Sequence, residues 1–159
     1  MDNLEKVFAR IDSMAEQVKA WQQSLVAIPA IAPESDGEGE RSKAEWVKRA
    51  LADFRPDEMK EHKAPDSRVP CGYRPNLLVR WYGQDRSKTV WVMAHLDVVP
   101  AGDTSEWNTD PFQLVVEGDR LYGRGTEDNH QGLVSALMAI TGTSRSLGLE
   151  LARSWRTTS

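Results

Sequence analysis

The sequence predicts an α/β domain in which helices pack on a sheet. Two amphipathic segments open the chain, two apolar extended segments follow them, and a short apolar helix comes after a predicted hairpin. Helices that precede and follow a group of strands in the sequence are typical of a layered domain with one core. The length of 159 residues suits one ordinary domain and is sufficient for a sizeable core.

The first helix is predicted for residues 3–28, because apolar side chains recur there at helical spacing before Pro29. These apolar side chains are Leu4, Val7, Phe8, Ile11, Met14, Val18, Trp21 and Leu25. A loop rich in proline, glycine and acidic residues follows, and a second helix is predicted for residues 38–54. Ser35 and Asp36 are the candidate caps of this second helix.

Residues 55–75 are polar and contain four prolines, so we predict mostly loop there. Strands are predicted for residues 76–82 and 89–94, with a turn between them. The second of these strands is apolar on both faces, which is typical of a central strand buried in a sheet.

A hairpin is predicted for residues 112–122, with Gly118 and Asp119 in its turn, and a helix follows at residues 132–140. The last 19 residues contain eight serines or threonines and two glycines. We therefore divide the chain into a domain of residues 1–140 and a divergent, disordered tail of residues 141–159.

The composition excludes several classes of protein. A net charge of −4 argues against nucleic acid as a partner, because phosphate binders usually carry a basic patch. No apolar run approaches the ~18 residues that span a membrane, and the N-terminus lacks the features of a signal peptide. Cys71 is the only cysteine, so no disulfide can form within the chain, and a cytoplasmic location is expected.

His95 and Asp97 directly follow the predicted central strand. On an extended backbone, positions i and i+2 point to the same side, so the two side chains can lie together. The histidine can bind zinc through one nitrogen while the carboxylate accepts a hydrogen bond from the other. The alternative is a histidine that ends a strand beside a solvated aspartate, and the three-residue motif taken alone favours that alternative.

A second group of candidate ligands contains Glu127, Asp128 and His130, next to the start of the last predicted helix. A carboxylate at position 128 can bridge two metal ions. The alternative, which this motif taken alone favours, is that Asp128 or Asn129 caps the helix.

Together the two groups are more specific than either alone. The segments HLDVVPAGD, WNTDPF and GDRLYGRGTEDN occur in this order. In this respect the chain resembles the dinuclear zinc metallopeptidase and amidohydrolase family of acetylornithine deacetylase, succinyl-diaminopimelate desuccinylase, aminoacylases, dipeptidases and carboxypeptidases. The segment RVPCGYRPNLLVR is similar to a deacylase-like subgroup. The resemblance covers residues 1–140 and implies a catalytic domain with helices on a mixed, largely parallel sheet.

The resemblance also implies roles for three residues. His95 matches a zinc ligand, Asp97 matches the catalytic aspartate that orients this histidine, and Asp128 matches the carboxylate that bridges two zinc ions. The peptide bond after that carboxylate is often cis in the family. Glu127 and His130 match no family ligand, and we expect them to support the ligands or to face solvent.

The implied reaction is hydrolysis of the amide bond of an N-acyl amino acid or a small peptide by a metal-activated water. Zinc is the expected metal, with cobalt and manganese as the alternatives. A deacylase is favoured over a dipeptidase or carboxypeptidase by the segment that ends at Arg80. An unrelated α/β domain with accidental motifs is the remaining alternative.

The family places further site residues beyond the bridging aspartate: a Glu-Glu pair, another acidic ligand and a late histidine, with a lid and dimerisation domain between them. This chain has no Glu-Glu pair, no histidine after His130, and only Glu150 as an acidic residue after Asp128. We therefore expect a truncated, inactive catalytic domain with exposed apolar surface, cut by a frameshift or premature stop near residue 140. The alternative is a short protein retained as a weak metal-binding or assembly module. A homodimer is expected only for a full-length protein.

Overall fold

A computed structural model describes residues 3–83 and 85–143 of the chain. We number its helices and strands in chain order. They are α1 (Asn3–Asp12), α2 (Ala15–Val26), α3 (Arg41–Ala52), β1 (Glu58–Pro65), β2 (Tyr73–Arg80), β3 (Val115–Glu117), β4 (Arg120–Tyr122) and α4 (Gln131–Thr143). Two short 3₁₀ turns lie at Pro33–Ser35 and Thr104–Glu106.

The core is built mainly by the apolar faces of α2, α3 and α4. Its buried members are Met14, Trp21, Leu25, Val47, Leu51, Leu133, Val134, Leu137 and Met138. The ring of Trp21 meets those of Trp46 and Phe54 nearly at right angles, with centroids 5.9 and 6.2 Å apart. Edge-to-face contact is a favoured arrangement of aromatic pairs, so these rings stabilise the α2–α3 contact beyond the area they bury.

The first predicted helix divides in two, because residues 13 and 14 separate α1 from α2. The hydroxyl of Ser13 donates to the carbonyl of Arg10 at 2.6 Å, a local bond that competes with helical pairing. The predicted caps of the second helix are wrong. Ser35 lies in a 3₁₀ turn that Asp36 ends in the left-handed region, and α3 begins only after Glu40.

The prediction of mostly loop for residues 55–75 is wrong. Residues Glu58–Pro65 form β1, which pairs antiparallel with β2. The register runs from Glu58 opposite Arg80 to Pro65 opposite Tyr73. The sequence did not predict β1, because its residues are mostly polar and lack the alternation of apolar and polar side chains that identifies a strand.

Contacts with neighbours explain why this polar strand forms. Met59 packs against the helical core together with Leu77 and Val79 of β2. Lys48 of α3 donates to Glu61 at 2.7 Å and ties the strand to the helix.

Within the described residues, the predicted central strand at residues 89–94 is not a strand. Its side chains are exposed: Val90 by 91%, Trp91 by 63%, Val92 by 62% and Met93 by 87%. A central strand needs neighbours on both edges, and the described strands form two separate antiparallel pairs instead. Among the described residues, parallel pairing outside these strands is limited to one isolated bridge between Ile31 and Val98. The α/β class is confirmed, and the expected exposed apolar surface lies at this segment.

The predicted hairpin is confirmed as β3 and β4, and the last predicted helix is confirmed as α4. Helix α4 continues to Thr143, beyond the expected boundary at Ile140. Residues 144–159 of the predicted tail lie outside the described residues. In the described part of the chain, the helices are all too short or too polar to cross a membrane.

Candidate metal site

The structure brings together the three site residues that the sequence predicted. His95 Nε2 lies 2.8 Å from Oδ1 of Asp128, although 33 positions separate the two residues. His95 Nδ1 lies 3.0 Å from the backbone carbonyl of Asp97 and 3.3 Å from its carboxylate. The imidazole is therefore held from both sides, and the backbone of Asp97 makes the closer of its two contacts.

Electrostatics at this site favour positive charge on His95. Burial lowers the pKa of His95, but hydrogen bonds to Asp128 and to the backbone of Asp97, with the charges of both carboxylates, raise it above its ordinary value. Nε2 of His95 and Oδ1 of Asp128 are also the atoms that a metal ion between these residues would take as ligands. The two atoms therefore share a proton at 2.8 Å in this structure, and without that proton both are donors of the kind a metal ion takes.

The segment Thr126–His130 carries Asp128 to this position as one distorted turn before α4. The backbone at Asp128 and Asn129 is not helical, and the peptide bond between them is cis. Gly125, with φ of +84°, begins the turn, and the backbone N–H of His130 closes it by donating to the Gly125 carbonyl at 2.9 Å. The Asp128 side chain is largely exposed and reaches His95.

A buried pair lies behind this turn. Nζ of Lys43, on α3, is 2.8 Å from Nε2 of His130, and the two residues are 0% and 2% exposed. Burial lowers the pKa of Lys43 to about 8, against the opposing charges of Asp97 and Glu40. Burial, helped by the charges of Lys43 and His95, lowers the pKa of His130 to about 3. His130 is therefore neutral at pH 7 and supports the turn, whereas Glu127 faces solvent.

Sequence reasoning missed Lys43, although a signal was present. Lys43 stands at helical spacing with Val47 and Leu51, on the face of α3 that enters the core. A lysine in register with two core residues needs a polar partner inside the protein. His130 is that partner.

Two further groups of contacts hold the segments around the site. The buried carboxylate of Glu40, just before α3, forms an ion pair with the guanidinium of Arg74. Nε of Arg74 donates to it at 2.5 Å. The carbonyl of Ala101 accepts hydrogen bonds from Trp107 Nε1 at 2.9 Å and from Arg124 Nη2 at 3.2 Å. The Arg124 guanidinium also lies over the Trp107 ring, 5.0 Å from its centroid. The second and third sequence motifs therefore meet at the loop that follows Asp97.

The donor atoms fit zinc in kind, because imidazole nitrogen and carboxylate oxygen are common zinc ligands. They do not complete a site. A catalytic zinc usually takes three protein ligands, and the described residues contain no cluster of three or more side chains able to hold a metal. His95 and Asp128 therefore supply two donor groups of the kinds that zinc takes, fewer than a catalytic zinc needs.

Known proteins of one peptidase family resemble this chain in sequence and in fold. Residues 91–151 match the model of peptidase family M20/M25/M40. An uncharacterised metallohydrolase of Methanocaldococcus jannaschii is 35% identical over 135 residues, which are 82% of this chain and 32% of the relative. Acetylornithine deacetylase of Dictyostelium discoideum is 42% identical over 85 residues, which are 48% of this chain and 19% of the relative.

A solved structure of a dipeptidase from Saccharomyces cerevisiae superimposes with a TM-score of 0.73 at 31% identity, covering 89% of this chain and 31% of that chain. The chain thus spans about a third of the length of the metallohydrolase and of the dipeptidase. The resemblance seen in the three motifs is confirmed. Residues 91–151 thus belong to peptidase family M20/M25/M40, and the relatives that this chain resembles are named a metallohydrolase, a deacetylase and a dipeptidase.

Proposed function

We propose that these 159 residues are the N-terminal part of the catalytic domain of a zinc-dependent amidohydrolase, which cleaves the amide bond of N-acyl amino acids or small peptides. The observation that carries the proposal is the 2.8 Å approach of His95 Nε2 to Asp128 Oδ1, with the other imidazole nitrogen held by Asp97. This is the arrangement that a metal-binding histidine and its orienting partner require.

The chain's own residues act as follows in this proposal. Asp97 accepts the Nδ1–H of His95 and so fixes the tautomer in which Nε2, without its proton, can serve as a metal ligand. Asp128 supplies a carboxylate that can bridge two metal ions. Zinc, when bound, polarises the scissile carbonyl and acidifies a water molecule. Cobalt and manganese are the alternative metals.

The substrate class follows from the relatives. One of them is named a deacetylase and another a dipeptidase, and both names describe hydrolysis of an amide next to an amino acid. We propose N-acyl amino acids first, and dipeptidase or carboxypeptidase activity as the alternative. The net charge of −4 disfavours nucleic acid, and the single half-buried thiol of Cys71 is consistent with the cytoplasm.

We further propose that the 159 residues do not hydrolyse amides unaided, since two metal ligands are too few for a catalytic zinc. A non-catalytic metal-binding or assembly module is the second candidate function. The observation that favours it is the exposed apolar segment Val90–Met93, because large exposed apolar patches often mark interaction surfaces.

A chimera tests the site directly. Residues 1–143 replace the corresponding segment of the yeast dipeptidase, so that the relative supplies the other ligands. We expect the chimera to hydrolyse dipeptides or N-acetyl amino acids when loaded with zinc. The His95→Ala chimera should be inactive, and the His62→Ala chimera, altered at an exposed histidine of β1, should retain activity.

The purified chain provides the second arm. With zinc it should release no amine from N-acetyl amino acids or dipeptides, yet it should retain zinc in equilibrium dialysis unless His95 is replaced. Hydrolysis by the chain alone would contradict the incomplete site. Zinc retention unaffected by His95→Ala would remove His95 from the proposed ligands.

A further inference from the structure

We infer that Lys43 is a positioning residue, which acts through His130 to hold the Gly125–His130 turn so that the Asp128 carboxylate faces His95. The effect on the turn stands on geometry alone, whereas the consequence for zinc rests on the proposed function. Lys43 lies on α3, far in sequence from the motifs, and none of the three motifs contains it.

The contact between Lys43 and His130 has a single direction. At pH 7 the Lys43 ammonium only donates hydrogen bonds, so Nε2 of His130 must accept, and a neutral His130 carries its proton on Nδ1. Both side chains are buried, and among the described residues Nδ1 of His130 finds no hydrogen-bond partner. The hydrogen bond from Lys43 is therefore the polar contact that holds this ring.

Packing holds the ring on its other sides. A methyl group on Gly125 would stand 2.7 Å from His130 Cε1 and 2.6 Å from Val98 Cγ1, so the ring and the valine fill the space over this glycine. Val98 follows Asp97 directly, and its N–H donates to the carbonyl of Ala30 at 3.1 Å. The ring thus lies between α3 and the segment that carries His95 and Asp97.

The backbone transmits this restraint to Asp128. The N–H of His130 donates to the Gly125 carbonyl, so fixing the His130 ring also fixes the end of the turn. Asp128 lies two residues before His130. Its backbone is not helical, so the hydrogen bonds of α4 do not hold it in place. If Lys43 no longer holds the ring, the turn gains freedom and the Asp128 carboxylate loses its fixed distance to His95.

The test uses the full chain and three substitutions on one helix. Lys43→Met keeps the apolar stem but cannot donate, and Lys43→Gln can still donate. Lys48→Met removes a lysine whose side chain is 25% exposed and contacts Glu45 and Glu61 instead. Amide exchange followed by NMR at constant pH reports the turn through His130 and the core through Leu25 and Leu51.

We expect Lys43→Met to speed exchange of the His130 amide by about tenfold or more without changing the core amides. Zinc affinity should fall by about tenfold, the effect typical of losing a group that orients a metal ligand. Lys43→Gln should restore both properties towards wild type, and Lys48→Met should change neither. A purely structural lysine would instead loosen the core amides together with the turn.

The outcomes separate this inference from the proposed function. Unchanged exchange at His130 in Lys43→Met would overturn the inference. Faster exchange in a chain that binds no zinc in its wild-type form would leave the inference standing and would overturn the metal-binding role. Should Lys43→Met not fold, the imidazole nitrogen signals of the wild-type chain decide, because a proton on Nε2 of His130 excludes the hydrogen bond from Lys43.

Discussion

The ring of His130 lies so close to Gly125 that a methyl group on the glycine would stand 2.7 Å from His130 Cε1. The same methyl group would meet Val98, and the positive φ of Gly125 is unfavourable for alanine. Gly125→Ala should therefore lower the free energy of unfolding by about 2–4 kcal/mol, through steric overlap and backbone strain together. Urea unfolding followed by circular dichroism measures this loss.

Gly102→Ala is the matched control, because Gly102 also has a positive φ but a methyl group there would touch nothing within 4 Å. It should cost only the backbone strain, about 1–2 kcal/mol. Equal losses at the two glycines would show that the ring of His130 moves away without penalty.

The alkaline pH dependence of stability should report Lys43. Its folded pKa of about 8 lies below the ordinary lysine value of 10.5, so the unfolded chain binds more protons between these values. Stability therefore rises with pH through this window, by about 2 kcal/mol between pH 8 and pH 10. The rise should vanish in Lys43→Met and persist in Lys48→Met. A flat profile for the wild-type chain would show that Lys43 is not a desolvated ammonium.

The contact between Glu40 and Arg74 predicts an asymmetry between two arginines. Arg74→Met leaves the buried Glu40 carboxylate without its guanidinium partner and should destabilise the chain by about 3 kcal/mol. Arg68→Met removes an exposed arginine that pairs with Asp66 and Glu34, and should leave the unfolding midpoint unchanged. The double variant Glu40→Gln/Arg74→Met should regain part of the loss, and no recovery would mean that Arg74 acts through packing alone.

The helical core predicts a further contrast. Leu25 is 0% exposed among α2, α3 and α4, so Leu25→Ala should cost about 3 kcal/mol in thermal or urea unfolding. Leu4 is 56% exposed on α1, and Leu4→Ala should change stability by less than about 0.5 kcal/mol. Similar losses at both positions would mean that α1 buries Leu4 in solution.

Local patterns predicted the helices, since a helix displays its buried face in its own sequence. The apolar spacing around Trp21 and Leu25 identified α2, and that around Val47 and Leu51 identified α3. The strands depend on neighbours. Polar β1 forms because β2 and Lys48 hold it, whereas the apolar segment at residues 89–94 has no partner strand among the described residues.

The sequence predicted the three residues of the candidate site, but it did not predict the buried Lys43–His130 pair behind them. His95, Asp97 and Asp128 stand in short motifs, and the resemblance to a known family joined motifs that local spacing could not join. The pairing of Lys43 with His130 spans 87 positions and depends on how α3 packs beside the turn. Helical spacing can show that Lys43 lies on the core face of α3, but only the three-dimensional structure shows that its partner is His130.

The stacking of Arg124 on Trp107 has an optical consequence. The ring centroid of Trp107 lies 5.0 Å from the Arg124 guanidinium, and its indole N–H donates to the Ala101 carbonyl. The emission spectrum of an indole depends on the charges and dipoles around it. Any displacement of the loop after Asp97 changes this surrounding charge and therefore the colour and yield of the fluorescence. Subtracting the spectrum of a Trp107→Phe chain isolates this signal from the other tryptophans among the six in the sequence. The chain thus carries a native fluorophore that contacts the loop after Asp97.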